Sequence, residues 1–264
     1  MMQFGRGTSG MGRAGRLGRN ERRNHVTTAA PGGQDGRVLR MAMWWALDYL
    51  WAALAWVGTL FAPASPDHYA RGTGRPVVVL PGVYENWKFL RPLILPLHRR
   101  GYAVHVVTVL GHNRQPIADG AAAVLDLVIA RDLHDVVLVG HSKGGLIGKL
   151  AMLADGDERI AAMVTICTPF HGSSRARLLP LRSVSPLVPG HPSLVSLGEP
   201  DAVNARITSI GTRFDEHVPE GSELPGALNV TVDVPGHFLP LGHPRVLAEV
   251  LAALERVDRV GDGS

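Results

Sequence analysis

The hydrophobic pattern of this chain changes character twice. Residues 1–40 nearly lack large apolar side chains, whereas 41–62 is almost wholly apolar, with Asp48 and Thr59 its only clearly polar positions. From Arg75 onward, short β-branched runs alternate with stretches of helical periodicity. The runs predict strands at 76–80, 102–109, from Asp135, at 159–167, 206–211 and 227–234. Between them the apolar spacing predicts helices at 87–100, from an Asp119 cap to Ala130, at 146–153 and at 244–257. Strands alternating with helices imply an α/β domain over about 70–260: a mostly parallel sheet of six strands, covered on both faces, with ligands at the strands' carboxyl ends.

Two stretches stand outside that rhythm. Residues 168–204 hold prolines 169, 180, 186, 189, 192 and 200 among leucines, the composition of an excursion over the sheet that caps a site. Its Leu178, Leu179, Leu181, Leu187, Val188, Leu194 and Leu197 offer apolar surface to line a pocket. Residues 41–62 carry four of the five tryptophans. As a membrane span this stretch would bury Asp48 at about 2.5–3.5 kcal/mol. As a secretory signal it has arginines before it and Ala62-Pro63-Ala64 after it, but its apolar region is long and interrupted by the acid. A helix packed on the domain or lying at a membrane interface accounts better for the tryptophans and the single acid. A cytoplasmic protein, or a peripheral one at the inner face of the membrane, is favoured on this reading; a secreted or anchored one is the alternative. The stretch reads as dispensable for chemistry on short substrates.

Charge changes the picture only in the tail. Of the net +4, residues 1–40 supply eight arginines against Glu21 and Asp35, so the remainder is near −2. Such a segment cannot bury enough surface to order itself and is expected to be disordered; Met41 and Met43 directly after it offer alternative starts. No basic face with interleaved aromatics follows, which argues against nucleic acid as a partner. A single cysteine, Cys167, excludes an intrachain disulfide. The twelve histidines show no metal-binding spacing, so neither metal nor cofactor is expected. Nothing in the pattern bears on oligomeric state.

Candidate chemistry centres on residues 135–148, DVVLVGHSKGGLIG. A strand, a tight Gly-x-Ser-x-Gly turn and a helix form the setting of a nucleophile elbow around Ser142. Gly140-His141-Ser142 lacks the second glycine of a dinucleotide fingerprint, and Gly148-Lys149-Leu150 lacks the hydroxyl residue of a phosphate loop. A serine needs a base, and the base an acid, which in this architecture follow in the order serine, acid, histidine. After the fifth strand comes Asp215, with Glu216 its competitor; Asp201 precedes that strand and Asp233 falls within the next. After the sixth strand comes His237, with His243 better placed to cap the final helix. His141 is on the wrong side to act as base and is expected to pack and hydrogen-bond beside the nucleophile. An oxyanion hole would use the N–H of Lys143 and, from the Pro81-Gly82-Val83 turn, that of Val83.

Residues 77–87 (VVVLPGVYENW), 138–148 (LVGHSKGGLIG) and 168–173 (TPFHGS) resemble motifs of bacterial lipases and related α/β-hydrolases. The similarity runs from about Pro76 to Leu254 and leaves 1–70 uncovered. It implies a compact α/β-hydrolase fold and a serine esterase acting on a small ester or lipid, with Ser142, Asp215 and His237 at its triad positions. Thioester hydrolysis, acyl transfer or a silent binding module are the alternatives. Two departures stand out: Pro81-Gly82 where the lipases commonly have His-Gly, and Lys143 after the nucleophile, whose charge near the pocket would favour an anionic acyl chain.

Overall fold

A computed structural model describes residues 32–261. Most of the expected tail, residues 1–31, lies outside the described residues. The apolar helix, α1, runs Gly32–Thr59. It therefore takes in residues 32–40, which composition had assigned to the tail.

Six strands form one sheet in the order β2-β1-β3-β4-β5-β6. They are β1 (Gly74–Leu80), β2 (Tyr102–Val106), β3 (Val136–His141), β4 (Ile160–Ile166), β5 (Ile207–Phe214) and β6 (Leu228–Pro235). Every neighbouring pair is parallel, as buried β-branched runs lead one to expect. Along a strand successive side chains point to opposite faces. Val77, Val79, Val137 and Val139 thus enter one core, and Val78, Leu80, Val136 and Leu138 the other.

The first core is closed by α2 (Arg91–Arg99) through Leu93, Ile94 and Leu97, and by α6 (Pro244–Gly261) through Val246, Val250 and Leu254. The second is closed by α3 (Ile117–Ala130) and α4 (Lys143–Ala154) through Val124, Val128, Leu146 and Ile147. The α3 cap differs from expectation. Pro116 is the N-cap residue and Asp119 lies inside the first turn, where its charge complements the helix dipole instead.

Residues 168–204 contain short 3-10 turns and one brief helix, α5 (Pro192–Gly198). The buried Lys149 of α4 donates to the carbonyls of Leu197 and Glu199, fastening this excursion to the sheet layer. Leu194 and Leu197 are consumed in the second core, whereas Leu178, Leu179 and Leu181 are exposed.

Helix α1 packs on the first core along one stripe. Trp44, Asp48, Ala52, Trp56 and Thr59 recur at helical spacing on its covered side. Trp51 and Trp56 meet Phe89 with ring centroids 5.9 and 5.4 Å apart. Its other side leaves Met43, Leu47, Leu50, Leu54 and Val57 exposed. Among the described residues no helix is long and apolar enough to cross a membrane.

Candidate active site

From β1 the chain steps outward to β2, then returns past β1 to β3 and continues the other way. The loops leaving β1 and β3 therefore flank a switch point, where an open α/β sheet leaves a crevice. Ser142 sits there, between β3 and α4, with φ 51° and ψ −122°, a strained conformation for a residue with a side chain. The surroundings enforce it. A Cβ on Gly140 would lie 2.6 Å from the Gly145 nitrogen, and one on Gly144 would lie 2.3 Å from the Leu80 carbonyl oxygen. Ser142 N–H donates to Ile166, and Thr168 Oγ1 donates to the Ser142 carbonyl.

The β5 and β6 ends converge on the same place. His237 Nδ1 stands 2.8 Å from Asp215 Oδ2, both side chains buried. The other Asp215 oxygen accepts from the His217 and Val218 N–H groups at 2.8 and 2.9 Å. Burial would raise the Asp215 carboxyl, but the His237 charge and these hydrogen bonds outweigh it and hold the group below its usual range. For His237, burial lowers the imidazole, while the Asp215 charge and hydrogen bond, then Glu85 and Asp48, carry it up to about 9.

Ser142 and His237 line one cavity of about 200 Å³, together with Val83, Pro169, Ala176, Leu179, Leu187 and Phe238. Of the apolar residues expected in the cap, Leu179 and Leu187 reach this cavity. A larger cavity, of about 490 Å³, lies behind the Asp215 loop against Val38, Met41 and Trp45 and does not include Ser142. The smaller one is where Ser142 and His237 meet.

The competing candidates are placed elsewhere. Asp201 caps the turn at Val203, Asp233 pairs with Arg213 at the surface, and Glu216 is buried facing away from His237, against Asp48. His243 accepts from the Arg245 N–H at the start of α6.

His141 is held between Glu85, at 2.8 Å, and the His237 carbonyl oxygen, at 3.0 Å from Nε2. A carbonyl only accepts, so Nε2 carries a proton. Glu85 also accepts the Gly82 N–H at 2.7 Å, which orients the turn carrying Val83. This link, from Glu85 in the β1 loop through His141 at the end of β3 to the His237 carbonyl in the β6 loop, was not assigned from sequence. Its signal was present, an acid in the turn motif and a histidine beside the serine, but nothing in the spacing pairs them.

The expectation for Lys143 needs correction. Its side chain is 1% exposed and does not line the cavity. The ammonium donates to the carbonyls of Asn113 and Gln115, and Asn113 Nδ2 holds the Pro81 carbonyl at 2.6 Å. Burial lowers it to about 8. Lys143 therefore braces the β1 loop from behind and brings no charge to a bound acyl chain.

The one cluster with metal-ligand chemistry among the described residues is Cys167, Asp215 and His237, whose ligand atoms lie within 4.8 Å of one another. Burial, then the Asp215 charge, pushes the thiol well up, so it stays protonated. The carboxylate is committed to His237 and two N–H groups. The cluster is a hydrogen-bonded support rather than a vacant ligand set.

Solved structures of the same architecture are similar to this chain. MGS-MChE2, an alpha/beta hydrolase enzyme from a lagoon-sediment metagenome, aligns with TM-score 0.53 at 20% identity over 70% of this chain and 92% of its own. The metagenomic carboxyl esterase MGS0156 aligns with TM-score 0.52 at 19% identity over 70% and 76%. The lipase BlEst2 from Bacillus licheniformis aligns with TM-score 0.52 at 15% identity over 72% and 96%. Among curated proteins none matches this chain. At these identities the structures speak for the fold alone, but the sequence profile described as the alpha/beta hydrolase family matches residues 77–221, more than half of the chain. The chain belongs to the alpha/beta hydrolase family.

Proposed function

We propose that this hydrolase cleaves carboxylic esters through an acyl-serine intermediate, with Ser142 as nucleophile, His237 as base and Asp215 as the acid that orients it. The observation that carries this reading is the buried 2.8 Å Asp215–His237 pair opening onto the cavity that Ser142 lines. His237 takes the proton of Ser142 Oγ as the oxygen attacks the ester carbonyl. Asp215 fixes the proton on Nδ1, leaving Nε2 to accept, and stabilises the imidazolium that forms. The developing oxyanion faces the N–H groups of Val83 and Lys143, the latter in the first turn of α4 where N–H groups lack helical partners. His237 then protonates the departing alcohol, and water enters by the reverse steps to release the acid and regenerate the serine. All the groups are side chains and main-chain donors, so the scheme calls on no cofactor.

The cavity walls favour an apolar acyl group, because Leu179, Leu187, Ala176 and Phe238 form much of them, with Arg175 and Glu85 the charged residues on the lining. The same chemistry would serve a thioester or pass the acyl group to another acceptor. Labelling by a fluorophosphonate probe, lost in Ser142→Ala, together with turnover of p-nitrophenyl acetate, is the test. A protein that takes no label would be a binding module instead.

The exposed apolar side of α1 supports a lipid surface as the partner that brings such a substrate. Met43, Leu47, Leu50 and Leu54 lie together on it, with the exposed cation Arg40 beside them. Further along, Val38, Met41 and Trp45 continue into the larger cavity behind the Asp215 loop. An interfacial helix of this kind gains from apolar burial and from attraction to anionic lipid.

A further inference from the structure

Asp48 lies in α1, outside the family-defining segment, and is fully buried. Its carboxylate accepts from the Phe238 N–H, at 2.9 and 3.2 Å from the two oxygens, and from the Leu239 N–H at 2.6 Å. These are the two residues that directly follow His237. On the other side of the histidine, Gly236 has φ 98°, and a Cβ there would stand 2.2 Å from Asp48 Oδ1. The loop that presents His237 is thus moulded around this carboxylate on both flanks.

The same turn of α1 reaches the acid's loop. Glu216, next to Asp215, is buried with its carboxyl group against that of Asp48, a contact that becomes a hydrogen bond when one of the two carries a proton. Burial, then the neighbouring carboxylate, raises Glu216 to about 8, so Glu216 is protonated at neutral pH. Tyr49 hydroxyl stands 3.0 Å from His217 Nε2, and His217 is kept neutral by burial, which lowers it to about 4. A buried carboxylate is retained only where its charge is compensated, and here two main-chain N–H groups do so.

We propose that Asp48 is a positioning residue of the catalytic centre: α1 holds the His237 loop and the Asp215 loop in register, and its carboxylate adds negative charge behind the histidine. The proposal rests on the ester-hydrolase reading above. Residues 41–62 are then no dispensable appendage, and chemistry depends on them.

The charges around the two groups define the test. His237 is faced by Asp215, Glu85 and Asp48, and packs against His141, His217 and the neutral Cys167. Asp48 itself is faced by Glu216, by Tyr49 next to it, and by His217, His237 and Cys167. Burial and, after it, the Asp48 charge keep Glu216 protonated, so in Asp48→Asn Glu216 ionises more readily and can restore part of the lost charge, whereas Asp48→Asn/Glu216→Gln removes it altogether. In the full chain, kcat and KM for p-nitrophenyl acetate are measured across roughly pH 5 to 10, with melting temperature and fluorophosphonate labelling. Asp48→Asn is expected to lower kcat on the order of tenfold to a hundredfold with KM little changed. In the double variant the rising pH limb is expected to move toward lower pH, since the imidazolium has lost a counter-charge. A purely structural role would move the melting temperature and leave that limb in place in both variants, which would overturn the proposal. So would wild-type kcat in folded Asp48→Asn. A wild-type protein that neither turns over the ester nor takes the label would overturn the underlying reading as well. A wild type that reacts beside an unimpaired Asp48→Asn removes only the role of Asp48.

Discussion

Asp215→Asn isolates the electrostatic part of the site. The asparagine oxygen can still accept from the His217 and Val218 N–H groups, at 2.8 and 2.9 Å in the wild type, so the loop keeps its anchors. What changes is the atom facing His237 Nδ1. An amide N–H₂ there donates, so the imidazole must turn a lone pair toward it and carry its proton on Nε2, where it cannot accept from Ser142. The size follows from the imidazole's displacement. Asp215 is the largest influence raising His237, against the opposing effect of burial, and the group stands at about 9 where an ordinary imidazole is 6.5. That gap corresponds to ~3 kcal/mol of imidazolium stabilisation, a factor on the order of 10²–10³ in a step that forms the imidazolium. The wrong tautomer adds to it, for a total loss in kcat approaching roughly 10⁴. A raised pKa means the neutral, base-competent form appears only as pH climbs, so wild-type kcat/KM should rise through a limb alkaline of the usual histidine range. In Asp215→Asn that limb is expected to move toward lower pH. The assay is kcat/KM for p-nitrophenyl acetate against pH, with Asp233→Asn, at the surface, as the unaffected control. Folded Asp215→Asn with wild-type kcat/KM and an unmoved limb would refute the reasoning.

The other predictions follow from the same geometry. Ser142→Ala and His237→Ala are each expected to lower kcat by a factor on the order of 10⁴–10⁶, while His243→Ala stays near wild type; loss in His243→Ala alone would reassign the base. Lys143→Met leaves the Asn113 and Gln115 carbonyls unpartnered and should destabilise the fold by about 2–4 kcal/mol, read by chemical denaturation. It should leave the preference between neutral and anionic acyl esters unchanged, and a changed preference would return the ammonium to the pocket. Serine at both Leu179 and Leu187 is expected to raise KM for longer acyl esters more than for acetate; a uniform loss across chain lengths would mean that they only support the fold. The full chain should co-sediment with anionic vesicles and be released in part by high salt, whereas no binding to vesicles of any composition would remove the lipid surface as a partner.

Much of this architecture was legible in the chain itself. β-Branched runs buried on both faces can hardly be anything but parallel strands, and Gly140 and Gly144 around Ser142 announce a turn too tight for a Cβ. Asp215 and His237 were picked out by chain order, because strand ends are local features of the pattern, and the structure brings the two within 2.8 Å. Tertiary structure alone decided everything that depends on contact between distant elements. Lys143 follows the nucleophile in sequence, yet its side chain crosses to Asn113 and Gln115. Glu85 and His141 looked unrelated until the β1 loop and the end of β3 came within 2.8 Å. Asp48 is the sharpest case. A lone acid in an apolar helix reads as an obstacle to membrane insertion, and the sequence holds no trace of its partners. Those partners are the main-chain N–H groups of Phe238 and Leu239, and a backbone donor has no identity that a residue type can announce.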